Sequence, residues 1–218
     1  MLNNDCGIEA DVTIVCLERN YFRIISSAAT RERDKFHINK NLTTNIELTD
    51  VTDKYCVFGL FGPKSRELIT SISKVNFSNK NFKFATGKKI KINNVDTWVQ
   101  RLSYVGELGY EIYVEFDKAV EIYSLLINEG KKYNISNCGM HSLDIMRMEN
   151  GFLHWGHDIS PEENQYQAGL EFAISFKKNV DFIGKDSLLK IKDNKINKRL
   201  MMFRLKAVSY THLTLPTI

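Results

Sequence analysis

The chain has 218 residues, 43% of them hydrophobic, enough to bury the core of one large domain or of a domain and part of another. Its 30 Lys and Arg are interspersed with 26 Asp and Glu, for a formal net charge of +4, a balance that tolerates anionic ligands and does not demand nucleic acid. No apolar run approaches the ~20 residues of a membrane span, MLNNDCGIEADV lacks the charged start and apolar block of a signal peptide, and Cys6, Cys16, Cys56 and Cys138 show no C-x-x-C or other ligand spacing.

The expectation is therefore a soluble protein with reduced thiols, cytoplasmic or in an organelle matrix. EADVTIVCL and YFRIISSA predict two strands joined at Glu18-Arg19-Asn20, so the chain starts inside a sheet and a missing N-terminal part is expected. TRERDKFHINKN predicts a short helix and VTDKYCVFGLFG a strand. GPKSRELITSIS follows as a helix, with Pro63 near its first position, where a missing N–H costs nothing. NFKFATGKKIKINNVDTWVQRLSY holds two or three strands, broken at Thr86-Gly87 and Asn93-Asn94. GELGYEIYVEF, Gly106 to Phe116, is a turn running into a strand, with Tyr110, Ile112, Val114 and Phe116 on one face and Glu111, Tyr113 and Glu115 on the other. Asp117 is placed to cap the helix AVEIYSLLINEG, which Gly130 ends, and a last helix covers Met140 to Glu149. Hairpins mixed with single helices give an α+β class.

Generic motifs exclude more than they assign. There is no G-x-G-x-x-G, P-loop or G-x-S-x-G, so nucleotide binding and hydrolase chemistry have no local support. His154 and His157 have no third ligand at a recognised spacing, and NKNFKFATGKKIKI reads as a solvated hairpin face. Alternation alone makes Glu111 a solvated carboxylate. The glycines before it, Gly106 and Gly109, would let a ligand approach the backbone.

Four segments in order carry a resemblance: CGIEADVTIVCL, SSAATRERD, SYVGELGYEIYV and SLDIMRMENGFLHWGHDISPEENQYQAGLEFAI, continued by DFIGKDSLL. Together they resemble the tetrahydrofolate-binding aminomethyltransferase family that includes the glycine-cleavage T-protein. HWGHDISPEENQYQAGLEFA is closer to the branch in dimethylglycine and sarcosine dehydrogenases, where the unit follows an FAD-dependent amine oxidase domain.

The resemblance implies an aminomethyltransferase fold of antiparallel sheets with packed helices, a folate-binding domain over 1–192 with its N-terminal part missing, and the start of a truncated β-barrel over 193–206; AVSYTHLTLPTI, 207–218, continues no pattern before it and reads as a non-native tail. It assigns Glu111 to the paired donors of the pterin, a bidentate charge-assisted contact, and Arg147 of RMENG to the anionic part of folate. Tyr104 and Trp155 are placed with them at the cofactor. The T-protein acid falls at Ala10. In CGIEADV the acid stands one place later, at Asp11, so either the strand bulges to bring Asp11 to the folate or the T-protein acid is lacking. Cys6 replaces a glycine of the family pattern. The implied reaction is capture of an oxidised N-methyl carbon as 5,10-methylenetetrahydrofolate, with Asp11 as catalytic carboxylate and FAD only in a missing N-terminal domain. Two other readings of the same family are the T-protein itself and a non-enzymatic folate-binding accessory protein of iron-sulfur assembly; the chain lacks the latter's K-G-C-Y-x-G-Q-E type segment.

Overall fold

A computed structural model describes residues 1–192 and 196–203. They fall into two compact units, one from Asp11–His154 and one that joins Met1–Ala10 to the chain from Trp155 onward.

The Asp11–His154 unit opens with an antiparallel hairpin, β1 (Thr13–Glu18) and β2 (Tyr21–Ile25), followed by α1 (Arg31–Asn41). Its main sheet has four antiparallel strands in the order β3-β6-β5-β4: β3 (Tyr55–Phe61), β4 (Gly87–Ile92), β5 (Val95–Gln100) and β6 (Gly109–Glu115). Asn93 and Asn94 both take positive φ and close the β4–β5 hairpin, the conformation that a two-residue turn with matching twist requires. Period-two alternation then divides the sheet. One face carries Phe58, Leu60, Ile90, Ile92, Val99, Tyr110, Ile112 and Val114, and packs on Leu68 and Ile69 of α2 (Ser65–Ser73) and Ile122 and Leu126 of α3 (Ala119–Gly130). Phe77 and Phe82 stack at 4.8 Å, and Tyr110 meets Phe77 edge-on at 5.1 Å, which closes one end of this core. Lys88, Lys89 and Lys91 keep the edge strand β4 exposed, a common guard against edge-to-edge pairing.

Four local expectations change. Pro63 lies outside α2, which begins after Lys64 at its N-terminal cap. Asp117 does not cap α3: it sits in a 3-10 turn, Phe116–Lys118, and Lys118 takes the cap position without a side-chain bond. Phe116 is therefore past the strand and exposed. Gly130 does not stop α3 in a left-handed turn; the chain runs on through a 3-10 turn to Asn134 at φ +59°. A Cβ on Gly130 would stand 2.5 Å from Ile135, so that glycine serves packing. The helix over Met140–Glu149, α4, is as expected.

In the other unit, the turn at Asn3 to Gly7 is held by Asn3, whose Oδ1 accepts from the Gly7 N–H at 2.8 Å. Two helices here were not anticipated, α5 (Gln165–Ala168) and α6 (Lys185–Lys192). The first starts on a capping box of Asn164 and Gln167, legible in NQYQ. Residues 196–203, within the expected β-barrel start, form no strand. The rest of the expected β-barrel start (193–195 and 204–206) and the whole tail (207–218) lie outside the described residues.

Candidate functional site

On the second face of the main sheet, β6 presents Glu111 and Tyr113, β5 presents Trp98 and Gln100, and β3 presents Tyr55, Gly59 and Phe61. This face is not simply solvated. Tyr113 is 4% exposed and Gln100 2%, and only Glu111 among the three is partly open. The Glu111 Oε2 accepts from Gln100 Nε2 at 2.6 Å and from the Tyr113 hydroxyl at 2.6 Å. Gln100 Nε2 also lies 2.9 Å from the Tyr113 hydroxyl oxygen, and its Oε1 accepts from Trp98 Nε1 at 3.3 Å. Burial, and next the hydrogen bond to Glu111, push the Tyr113 phenol above its ordinary range, so it stays a donor. One oxygen of Glu111 is thus fixed by two donors, while Oε1 has no hydrogen-bond partner among the described residues.

The glycines near Glu111 do not hold space open for a ligand. A Cβ on Gly109 would meet Phe61 Cδ1 at 2.2 Å, and one on Gly59, directly opposite Glu111 in register, would meet Phe61 Cε2 at 2.5 Å. The Phe61 ring therefore lies across both glycines. Gly106 has φ +74°, and a Cβ there would stand 2.2 Å from the Asn150 side chain. What approaches the backbone is the protein itself.

Asn150 belongs to RMENG, which ends α4. Its Nδ2 donates to the Val105 carbonyl at 3.2 Å and to the Met146 carbonyl at 2.8 Å. Tyr104, one turn before Glu111, donates its hydroxyl to the Leu153 carbonyl at 2.8 Å and stacks on Phe152, with centroids 6.1 Å apart. The segment that leads into Glu111 and the helix end that carries Arg147 are thereby bound together. Arg147 itself is 6% exposed and engaged: Nε and Nη2 each lie 2.7 Å from Asp144 Oδ1, and Nη1 donates to the Phe152 carbonyl at 3.1 Å. This is the i to i+3 pair open to it from helical spacing.

Asp11 is exposed just before β1, outside the hairpin ladder, whereas Ala10 is buried at 2%. The irregularity of β1 falls between Cys16 and Glu18, away from Asp11. In the other unit, Trp155 donates Nε1 to the Ile8 carbonyl at 2.8 Å. HWGHD and CGIEAD are joined by that bond. Cys6 adopts φ +62° where the family pattern has glycine, and burial raises its thiol pKa. Next to it, a Cβ on Gly7 would stand 1.9 Å from the Pro161 carbonyl oxygen. The shallow, open hollows at Arg66 to Ser78 with Tyr133 and at Ile196 to Arg199 include neither Glu111 nor Arg147.

Residues 1–178 match the family described as the GCVT N-terminal domain. The chain belongs to that family. Among curated relatives of this GCVT-family chain, the 4-methylaminobutanoate oxidase (formaldehyde-forming) of Paenarthrobacter nicotinovorans is 37% identical over 191 residues, 87% of the chain and 23% of the relative. The aminomethyltransferase of Halothermothrix orenii is 32% identical over 94% of the chain and 57% of its own length. The mitochondrial dimethylglycine dehydrogenase of Homo sapiens is 29% identical over 94% of the chain and 24% of its own length. The crystal structure of the glycine cleavage system aminomethyltransferase T from Bartonella henselae superposes with a TM-score of 0.74 over 88% of the chain and 51% of that protein, at 21% identity, which speaks to the fold. That fold is the expected mix of helices and antiparallel sheets. The GCVT-family chain spans only about a quarter to somewhat over half of these relatives' lengths. No helix among the described residues is long and apolar enough to cross a membrane.

Sequence reasoning missed Gln100, Trp98, Phe61 and Asn150. The first three could have been found from the β3-β6-β5 pairing, which puts Gln100 and Gly59 directly opposite Glu111. Asn150 had no signal beyond its place in RMENG.

Proposed function

We propose that this chain is the folate-binding, one-carbon-transfer unit of a longer enzyme that oxidises N-methyl amines, of the dimethylglycine and sarcosine dehydrogenase type. Its role there is to hold tetrahydrofolate beside the oxidised N-methyl carbon, which leaves as 5,10-methylenetetrahydrofolate. The observation that carries this reading is the state of Glu111: a half-buried carboxylate, aimed by Gln100 and Tyr113, with Oε1 left to accept a donor. The pterin's adjacent amino and ring N–H groups are donors of the kind such a carboxylate takes. When bound, folate supplies the nucleophilic nitrogens that receive the carbon.

The chain's own residues bind and orient. Glu111 fixes the donor edge, and Tyr104 contributes aromatic surface. Arg147, held by Asp144, is the proposed counter-charge for the anionic part. Asp11, exposed and without a hydrogen bond among the described residues, is the proposed carboxylate that accepts a proton or steadies developing positive charge. Holding two reactants side by side supplies most of the rate advantage of such a unit. FAD is assigned to no residue here and is proposed for a separate domain of the longer protein. The chain by itself is expected to bind folate and to oxidise nothing.

A second reading, the T-protein aminomethyltransferase, draws support from the 32% identity to the Halothermothrix orenii protein. The absence of an acid at Ala10 weighs against it. Calorimetric titration of the chain with 5-formyltetrahydrofolate tests folate binding: saturable heat is expected, and a folded chain that gives none at hundreds of micromolar ligand overturns the reading. Ammonia release from an aminomethyl-lipoyl carrier, assayed in the full-length protein, would favour the T-protein instead.

A further inference from the structure

The Glu111 face carries a second feature that the folate assignment does not use. Tyr55 of β3, Trp98 of β5 and Tyr113 of β6 turn their rings to one place on that face, Trp98 and Tyr113 being direct cross-strand partners. The guanidinium of Arg23, from β2, lies over all three rings, 5.1 Å from the centroid of Tyr55, 5.4 Å from Tyr113 and 5.9 Å from Trp98. Aromatic faces attract a cation, and three of them account for where the group sits. They do not satisfy its in-plane donors. Nη1 of Arg23 is buried and donates to nothing among the described residues, and Arg23 forms no ion pair there. A buried donor left unanswered is costly and therefore rare in folded proteins.

Glu111 is the complementary case, an acceptor with one oxygen unanswered. The two groups do not pair with each other. Tyr113 links them: its ring lies under Arg23 and its hydroxyl rests on Glu111 Oε2. The face thus offers an acceptor at one end of a tyrosine and a donor fork over its ring, beside aromatic surface. A flat ligand with donors at one edge and an oxygen acceptor further along satisfies both. Arg147, by contrast, already spends Nε, Nη1 and Nη2 on Asp144 and the Phe152 carbonyl.

We infer that Arg23 is a second ligand-recognition residue, whose guanidinium, stacked on Tyr55, Trp98 and Tyr113, donates to an oxygen acceptor of the folate whose donor edge Glu111 accepts. The inference rests on the folate reading above. The acceptor is a ring carbonyl or a carboxylate of the tail, and both offer Arg23 the same chemistry.

The test is titration of the chain and its Arg23→Met variant with 5-formyltetrahydrofolate and with tailless 6-methyltetrahydropterin. Arg23→Met keeps an apolar stem over the rings and removes the donors, and should weaken 5-formyltetrahydrofolate by roughly tenfold to a hundredfold. An equal loss with the tailless pterin places the acceptor on the ring; a loss confined to the full folate places it on the tail. Binding by folded Arg23→Met within about twofold of wild type overturns the inference and leaves folate binding standing. Should Arg23→Met fail to fold, Arg23→Lys keeps stem and charge without the fork; a loss of about fivefold or more is expected, and unchanged affinity overturns the inference. If the wild-type chain binds neither ligand, the folate reading fails first and takes the role of Arg23 with it.

Discussion

Asn150 Nδ2 donates to the Val105 carbonyl at 3.2 Å, so the end of the helix that carries Arg147 is fastened to the turn that leads into Glu111. The same amide donates to the Met146 carbonyl of its own helix at 2.8 Å. Asn150→Ala removes both bonds and leaves the Val105 carbonyl without this donor, which should cost about 1–3 kcal/mol of stability. Urea unfolding followed by circular dichroism measures it. A variant as stable as the parent would show that the junction carries no weight.

Gly106 and Gly151 flank that junction and separate two causes of glycine dependence. Both have positive φ, +74° and +70°, but a Cβ on Gly151 meets nothing within 4 Å whereas one on Gly106 meets Asn150. Gly151→Ala should therefore cost only the left-handed backbone penalty of about 1 kcal/mol. Gly106→Ala should cost clearly more, because the Asn150 amide must also move. Equal losses in thermal unfolding of the two variants would contradict this account.

Glu111→Gln keeps the shape of the side chain and removes its charge. Binding of 5-formyltetrahydrofolate should weaken by ~1.5–3 kcal/mol, the scale of a hydrogen bond to a charged group. Calorimetry reads the change directly, and unchanged affinity returns Glu111 to a structural role beside Gln100 and Tyr113.

For Asp11→Asn the expected result is the reverse combination. Its side chain makes no hydrogen bond among the described residues, so folate binding and stability should stay near wild type. Formation of 5,10-methylenetetrahydrofolate in the full-length enzyme should fall by ~100-fold or more, the usual contribution of a positioned acid or base. Full transfer activity would remove Asp11 from the mechanism.

Acid should act through Arg31. Its Nε lies 2.9 Å from Asp50, its Nη1 and Nη2 reach Asp53 at 3.1 and 3.0 Å, and these hydrogen bonds hold both carboxyls below their ordinary range. Depressed folded-state values mean that the stability they contribute is present above the unfolded carboxylate pKa, near 4, and is lost as pH falls through the folded values. The difference in melting temperature between wild type and Arg31→Met should therefore be largest near neutrality and shrink below about pH 4. A difference that grows on acidification would reverse the sign of this linkage.

How far the sequence could be read depended on the range of the interactions involved. The strand holding Glu111, the Asn93-Asn94 turn and the helix over Met140–Glu149 were legible because alternation, turn chemistry and helical spacing are local. The helices α5 and α6 span four and eight residues, too little chain for helical periodicity to stand out, and the capping box in NQYQ is the local sign that α5 offers. Asp117 has the residue type of a cap, but an intervening 3-10 turn moves the helix start past it.

The sequence by itself determined the α+β class, the family, and that Glu111 and Tyr113 share a face opposite Tyr110, Ile112 and Val114. Only the tertiary structure decided what that face contains. Strand order β3-β6-β5 set Gln100 beside Glu111, and packing brought Arg23 over three rings from three strands. It also filled the space beside Gly106 and Gly109 with Asn150 and Phe61. The physical reason is that side-chain direction along a strand follows from a period of two residues, whereas the neighbour across a sheet comes from pairing between distant segments.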